Sequence, residues 1–183
     1  MTRIIAGGAG SIPLEVPDAG TRPTSERVRE SVIGALESAG AIAGSAVLDL
    51  YAGSGALGLE CLSRGATSAD LVEKAPKAAA VATRNARRVA KAMDGVMALV
   101  HRSSSDAFLR GTSQRFDLVF LDPPYDLADA ELTETLALVA GVLSADADVV
   151  IERATRSGEP TLPPGLRWQR SRRHGDTTIW WAR

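Results

Sequence analysis

The chain has 183 residues, of which 45% are apolar and 23% charged, the size and mix of a single globular domain rather than two. Lys plus Arg number 21 and Asp plus Glu 22, so the formal net charge of -1 gives no bulk sign of a polyanion-binding protein. No apolar run reaches the roughly 18 residues of a membrane span, no secretory leader opens the chain, and a lone cysteine, Cys61, excludes an internal disulfide or a cysteine-based metal site; the expectation is a reduced, cytoplasmic protein with no membrane partner.

Short alternating stretches at 3–6 and 12–16 flank a Gly-rich run and predict a small β-hairpin. Residues 17–23 read as a loop, and Thr24 or Ser25 can cap a helix with apolar positions Val28, Val32, Leu36 and Ala39, ended by Gly40 and Gly44. The expected organisation is an extension over residues 1–23 and a main domain over 24–183. A repeating unit follows: a strand at 46–51, a Gly-rich turn, and a helix through Leu57, Leu59, Cys61 and Leu62 that stops at Gly65. Residues 69–73 form a second strand, 76–92 a long Ala-rich helix, 96–100 a third strand, and 106–109 a short helix. The clearest buried strand is 116–121; a helix from about 129 to 143 and a fifth strand at 149–151 follow. Such alternation predicts an α/β, Rossmann-like fold with a mostly parallel sheet. The last two segments, 166–170 and 177–181, flank His174-Gly175-Asp176 with no room for a crossover helix, which predicts an antiparallel hairpin and seven strands in all.

The near-zero total hides segregation. Residues 61–115 carry ten basic and four acidic side chains, a balance of +6. Residues 116–152 carry nine acids and no Lys or Arg, while 153–183 carry seven Arg against Glu159 and Asp176.

Two motifs carry chemistry. The first is the stretch from Asp49 to Gly58, a Gly-x-Gly-x-x-Gly that follows a strand and opens a helix, the setting in which backbone N–H groups meet a nucleotide-type cofactor. Glu73, at the end of the second strand, can accept both hydroxyls of an adenosine ribose, which fits NAD and S-adenosylmethionine equally. Asp49 leans toward the latter, because a carboxylate there suits the ammonium of a methionine moiety and repels a pyrophosphate. The second motif is Asp122-Pro123-Pro124-Tyr125, at the carboxyl end of the fourth main strand, where open α/β sheets place their chemistry. An exocyclic nucleobase amine is a poor nucleophile because its lone pair is delocalised into the ring. Hydrogen bonds from its two N–H groups to the Asp122 carboxylate and the Pro123 carbonyl would localise that pair, and Tyr125 could stack on a flipped base.

On these two motifs the chain resembles class I S-adenosylmethionine-dependent methyltransferases that act on amino groups. The Arg3-Ile4-Ile5, Arg22-Pro23-Thr24, Arg27-Val28-Arg29-Glu30, Leu57-Gly58-Leu59-Glu60 and Ser63-Arg64-Gly65-Ala66 stretches are similar, more narrowly, to the RsmD family, whose members methylate guanine N2 in 16S ribosomal RNA. The resemblance covers nearly the whole chain. It implies a class I methyltransferase fold and S-adenosylmethionine as cofactor, S-adenosylhomocysteine as product and no metal. It implies that Asp49, Gly53 and Gly55 hold the methionine part, Glu73 the ribose and Asp106 with Ala107 the adenine, with Ser54 and Lys74 also among the cofactor-binding residues. Asp122, Pro123, Pro124 and Tyr125 would position the guanine, and Arg22 and Thr24 would border the active site, against the reading of a plain loop. The chain departs from the family in having Val32-Ile33 where an aromatic is common and Cys61 where a small residue is usual.

Cys61 lies mid-helix among leucines and reads as a buried thiol. His101 and His174 lack metal-ligand spacing. Arg170, Arg172 and Arg173 are candidates for phosphate contact, against ordinary solvated charge, and Trp168, Trp180 and Trp181 are divided between base stacking and core. The stretch from Asp126 to Glu134 reads as a solvated helix face. The expected partner is 16S rRNA, within a small-subunit ribonucleoprotein particle, acted on by a monomer. The competing readings are a DNA adenine-N6 or cytosine-N4 methyltransferase, an NAD-dependent oxidoreductase and a non-catalytic RNA-binding assembly factor.

Overall fold

The computed structural model describes residues 2–17 and 26–183. The N-terminal hairpin forms from β1 (Thr2–Arg3) and β2 (Pro13–Leu14), paired antiparallel. It cannot bury a core of its own, so it borrows one. Ile4, Ala9 and Leu14 are buried in the main cluster, and the intervening loop docks on α2 (Ala56–Ser63). There the Glu60 carboxylate accepts the N–H groups of Ile5 and Ala6, and Ser63 Oγ accepts that of Ala9. Gly7 sits at φ +86°, and a Cβ on it would collide with the Ser63 carbonyl oxygen.

Helix α1 (Glu26–Ser38) buries Val28, Val32 and Leu36 as their spacing predicts, together with Arg29 and Ile33. Ala39 falls beyond the helix end and is exposed. Arg22, Thr24 and Ser25 lie outside the described residues.

The main sheet runs β5-β4-β3-β6-β7-β9-β8 and comprises β3 (Ala46–Leu50), β4 (Ser68–Val72), β5 (Met97–His101), β6 (Phe116–Leu121), β7 (Leu143–Ala154), β8 (Trp168–His174) and β9 (Thr177–Ala182). The five strands from β5 to β7 are parallel, and β9 is antiparallel to both its neighbours. This is the Rossmann-like class I arrangement. Helices α1, α2 and α3 (Pro76–Ala92) cover one face over Val47, Leu71, Leu118 and Phe120. Helices α4 (Ser105–Gly111) and α5 (Asp129–Ala140) cover the other, over Leu48, Leu50, Val119 and Ile151. Alternate residues of one strand thus serve opposite cores.

The largest departure from the predicted elements lies between α5 and β7. The helix ends at Ala140, capped by Gly141, and the strand begins at Leu143, well before the predicted 149. Phe116 pairs with Leu143 and Leu118 with Asp148, so residues between them bulge, with Asp146 at φ +59°. The apolar pair Val142-Leu143 continues a helical pattern locally; pairing with β6 decides otherwise. At the other end, Trp181 is buried and Trp168 packs on Trp180 with ring centroids 5.4 Å apart. Cys61 is fully buried. No helix among the described residues is long and apolar enough to cross a membrane.

Candidate active site

The helices after β3 and β6 leave on opposite faces of the sheet, and a crevice opens between the carboxyl ends of these two neighbouring strands. It is a cleft of about 1060 Å³. Its floor and walls come from 49–57, 72–76, 103–106 and 122–127, and its outer wall from Thr2, Val16, Pro17 and Arg29.

The glycine loop takes its shape from three left-handed residues, Tyr51 (φ +62°), Gly53 (φ +56°) and Gly55 (φ +79°). Tyr51 is the costly one, because an aromatic side chain seldom adopts that conformation. Gly58 serves packing instead: a Cβ there would stand 2.5 Å from Leu71 Cδ2 and 3.3 Å from Asp49 Cβ, so only glycine lets α2 lie this close to the sheet. Its N–H donates to Asp49 Oδ2 at 3.0 Å. Asp49 is 1% exposed, and no ion pair compensates it among the described residues. Burial pushes its carboxyl up to about 7 against the pull of the Gly58 N–H, with Asp122 and Glu73 adding repulsion.

Glu73 is fixed by two backbone donors, Gly53 N at 2.9 Å and Ala75 N at 2.7 Å. A carboxylate has about four acceptor positions, so capacity remains for ribose hydroxyls. Farther along, Thr135 Oγ1 donates to Asp106 Oδ1 at 2.8 Å, and Ser104 caps α4 by accepting the Ala107 N–H. The Asp122-Pro123-Pro124-Tyr125 turn closes the other end. The Leu127 N–H donates to the Pro124 carbonyl, turning the chain toward α5, and Tyr125 Oη shares a 3.1 Å hydrogen bond with Thr177 Oγ1 at the start of β9.

Asp49, Gly53, Ser54, Glu73, Lys74, Asp106, Asp122, Pro123, Pro124 and Tyr125 therefore meet in one cleft. Gly55 and Ala107 stand behind its wall, as the N-cap of α2 and in the first turn of α4. Arg170, Arg172 and Arg173 do not line it, because β8 is the outer edge of the sheet; the Arg170 guanidinium lies over the Trp181 ring, 4.5 Å from its centroid. The acidic stretch is more than a solvated face: Asp126, Glu131 and Glu134 line the cleft, and Asp129 holds Arg153 at 2.7 Å.

Arg29, Asn85, Thr135 and Arg156 escape the motif reading. Arg29 is 2% exposed and lines the cleft; Nη1 donates to Thr2 Oγ1 and Nη2 to the Arg3 carbonyl. Burial holds its guanidinium below the usual range, partly offset by Glu60 and Glu26. Asn85, fully buried, accepts the Glu15 N–H and donates to the carbonyls of Glu15 and Ser54, all at 2.9 Å. Each interrupts a helix's buried stripe: Arg29 falls in step with Ile33 and Leu36, and Asn85 with Ala82 and Val89. A polar residue in a buried stripe is the signal that could have found them.

Among the described residues, seven acidic and three basic side chains line the cleft, which disfavours a pyrophosphate and suits a cationic ligand. A buried carboxylate without a counter-charge at Asp49, acceptor capacity at Glu73 and an acidic group at Asp106 fit a ligand with a positive centre, vicinal hydroxyls and an amino group.

Residues 2–183 match the family described as Conserved hypothetical protein 95. The chain is 38% identical over 162 residues to the ribosomal RNA small subunit methyltransferase D of Escherichia coli K12, covering 88% of this chain and 79% of that protein. Among solved structures, it superposes on the Escherichia coli protein yhhF, described as a candidate methyltransferase, with a TM-score of 0.84 and 32% identity over 98% of this chain and 96% of that one. At 18% identity and a TM-score of 0.67, the magnesium protoporphyrin IX methyltransferase of Synechocystis, with S-adenosylmethionine bound, shares the fold over 89% of this chain and 86% of its own.

Proposed function

Because the chain belongs to the Conserved hypothetical protein 95 family, the RsmD family to which its motifs point, we propose that it transfers a methyl group from S-adenosylmethionine to N2 of a guanine in 16S ribosomal RNA. The observation that carries this reading is the meeting of a buried, uncompensated Asp49 with the Asp122-to-Tyr125 turn across one cleft. The relative named as a ribosomal RNA small subunit methyltransferase supports the substrate class. The near-neutral charge favours a shaped ribonucleoprotein particle over bare polyanion, approached by a cytoplasmic monomer.

Bound S-adenosylmethionine would be held through its ammonium and sulfonium end by Asp49 and the 53–55 loop, its ribose by Glu73 and its adenine amino group by Asp106, and would supply an electrophilic methyl group. The chain's residues do the rest. The Asp122 carboxylate and the Pro123 carbonyl each accept one N–H of the guanine amine, turning its lone pair toward the cofactor. Tyr125, braced by Thr177, stacks on the flipped base and fixes its plane. Asp122 stabilises the positive charge that develops on nitrogen and takes the surplus proton or hands it to solvent.

Replacing Asp122 with Ala should lower turnover about 10²-fold or more while leaving cofactor affinity, read by calorimetry, within a few fold. Undermethylated small subunits, free rRNA and duplex DNA are assayed in parallel, and the modified nucleoside is identified after digestion. Unchanged turnover would sink the mechanism, and transfer to DNA alone would overturn the substrate.

A further inference from the structure

Three chain segments are tied together at the carboxyl end of the sheet. The Thr155 N–H donates to the Asp176 carbonyl at 2.7 Å and Thr155 Oγ1 to that of Gly175 at 3.2 Å, fastening the 3-10 turn Thr155–Ser157 to the turn between β8 and β9. Tyr125 reaches Thr177 of the same hairpin. The Asp122-to-Tyr125 turn, the 3-10 turn and the hairpin tip thus form one rim.

Exposed arginines stand along it. Arg156, in the 3-10 turn, lines the cleft mouth. Arg172 pairs with Ile179 across β8 and β9, which places it on the α1 side of the sheet, two residue pairs from the closing His174–Thr177 pair. Arg27 is exposed on the first turn of α1, the helix that covers the sheet face on which Arg172 stands; the charges of both reach the His174 imidazole, which burial already holds below its usual range. The tip's own carboxylate is Asp176, and Asp126 lies at the cleft. None of the three arginines pairs with a carboxylate among the described residues, whereas Arg64, Arg84, Arg88, Arg153 and Arg183 each hold one. Cations left unpaired beside an acidic cleft sort a nucleotide by its parts: the cleft repels phosphate and admits the base, while the rim attracts the phosphates on either side.

We propose that Arg27, Arg156 and Arg172 form a phosphate track that grips the RNA backbone flanking the methylated nucleotide. The proposal rests on the rRNA reading above. It takes Arg170 out of the contact set, because that guanidinium already stacks on Trp181. The planar fork of arginine matches two phosphate oxygens at once, so the track fixes the register of the strand as well as its affinity.

The test compares wild type, the R27Q/R156Q/R172Q variant and a charge-matched R87Q/R110Q/R167Q control whose sites are exposed elsewhere on the surface. Methyl transfer to undermethylated small subunits gives KM and kcat across a salt series, and fluorescence anisotropy with a labelled oligouridylate reads backbone binding without a methyl acceptor. The track predicts a KM raised about tenfold or more in the rim variant, and a KM near wild type in the control. It also predicts a salt dependence shallower by about two logarithmic units per decade, since each lost phosphate contact removes about 0.7 from the slope on a single strand. Equal KM, oligouridylate affinity and slope in rim variant and control would overturn the track. A wild type that methylates no ribosomal RNA while the rim variant alone loses oligouridylate binding would overturn the rRNA reading and keep the track.

Discussion

Asp49 shows what burial does to a single carboxylate in the wall of a cleft. Its carboxyl titrates near 7 because burial penalises the charge more than the Gly58 N–H relieves it. The folded value lies above the unfolded one, so the group's contribution to stability is complete below pH about 4 and is lost as pH rises through about 7. A cationic ligand reverses the preference, since it binds the ionised form. Cofactor affinity should therefore fall about tenfold per pH unit below 7 and level off above it, with protons released on binding near pH 7. Titrations in buffers of different ionisation enthalpy between pH 5.5 and 8.5 check this, and an Asp49→Asn variant should bind weakly with no such dependence. The placement of Asp49, Glu73 and Asp122 at strand ends was legible in the sequence, because apolar runs mark the strands they close. The value near 7 was not, because it depends on what surrounds Asp49 in three dimensions.

At the scale of elements, the site is assembled by pieces that motifs do not mention. The helix α3 carries no cofactor motif, yet Asn85 on it joins the segment after β2 to the glycine loop through Glu15 and Ser54. Glu15 adds ion pairs to Arg84 and Arg88, which hold its carboxyl below the usual range. The wall formed by Val16 and Pro17 is therefore set by the same side chain that anchors the loop opposite. Asn85→Ala would leave three backbone groups without their partner, at about 1–3 kcal/mol for each that stays buried. Thermal unfolding should show a Tm lowered by several degrees, and calorimetry a weakened cofactor; a variant matching wild type in both would show that the link is idle. The strands and helices around both motifs were readable from alternation and glycine punctuation. The boundary between α5 and β7 was not, because Val142 and Leu143 satisfy a helical pattern and a strand equally, and only β6 arbitrates. Arg29 and Asn85 were hidden for a related reason: a stripe is read by its apolar members, and both replace one.

Across the whole molecule, charge and topology divide the work. The acidic segment from 116 to 152 supplies the Asp122-to-Tyr125 turn and much of the cleft wall, and the basic tail contributes Arg156 at its mouth. A net charge of -1 is thus a cancellation between an acidic segment and the basic stretches on either side of it. The closing strand β9 is inserted between β7 and β8, so the last stretch of chain completes the sheet from within. A chain ending at Asp176 would leave β7 without that partner and Tyr125 without Thr177. It should unfold without a cooperative transition by circular dichroism and bind no cofactor, and a sharp transition in that truncated chain would contradict the role given to β9. During synthesis the same insertion acts as a timer. Thr2, Val16 and Pro17 wall the cleft and β9 braces Tyr125, so a nascent chain holds both motifs before it can hold the assembled cleft. The protein proposed to act on ribosomes can therefore complete its own cleft only once β9 has left the ribosome that makes it.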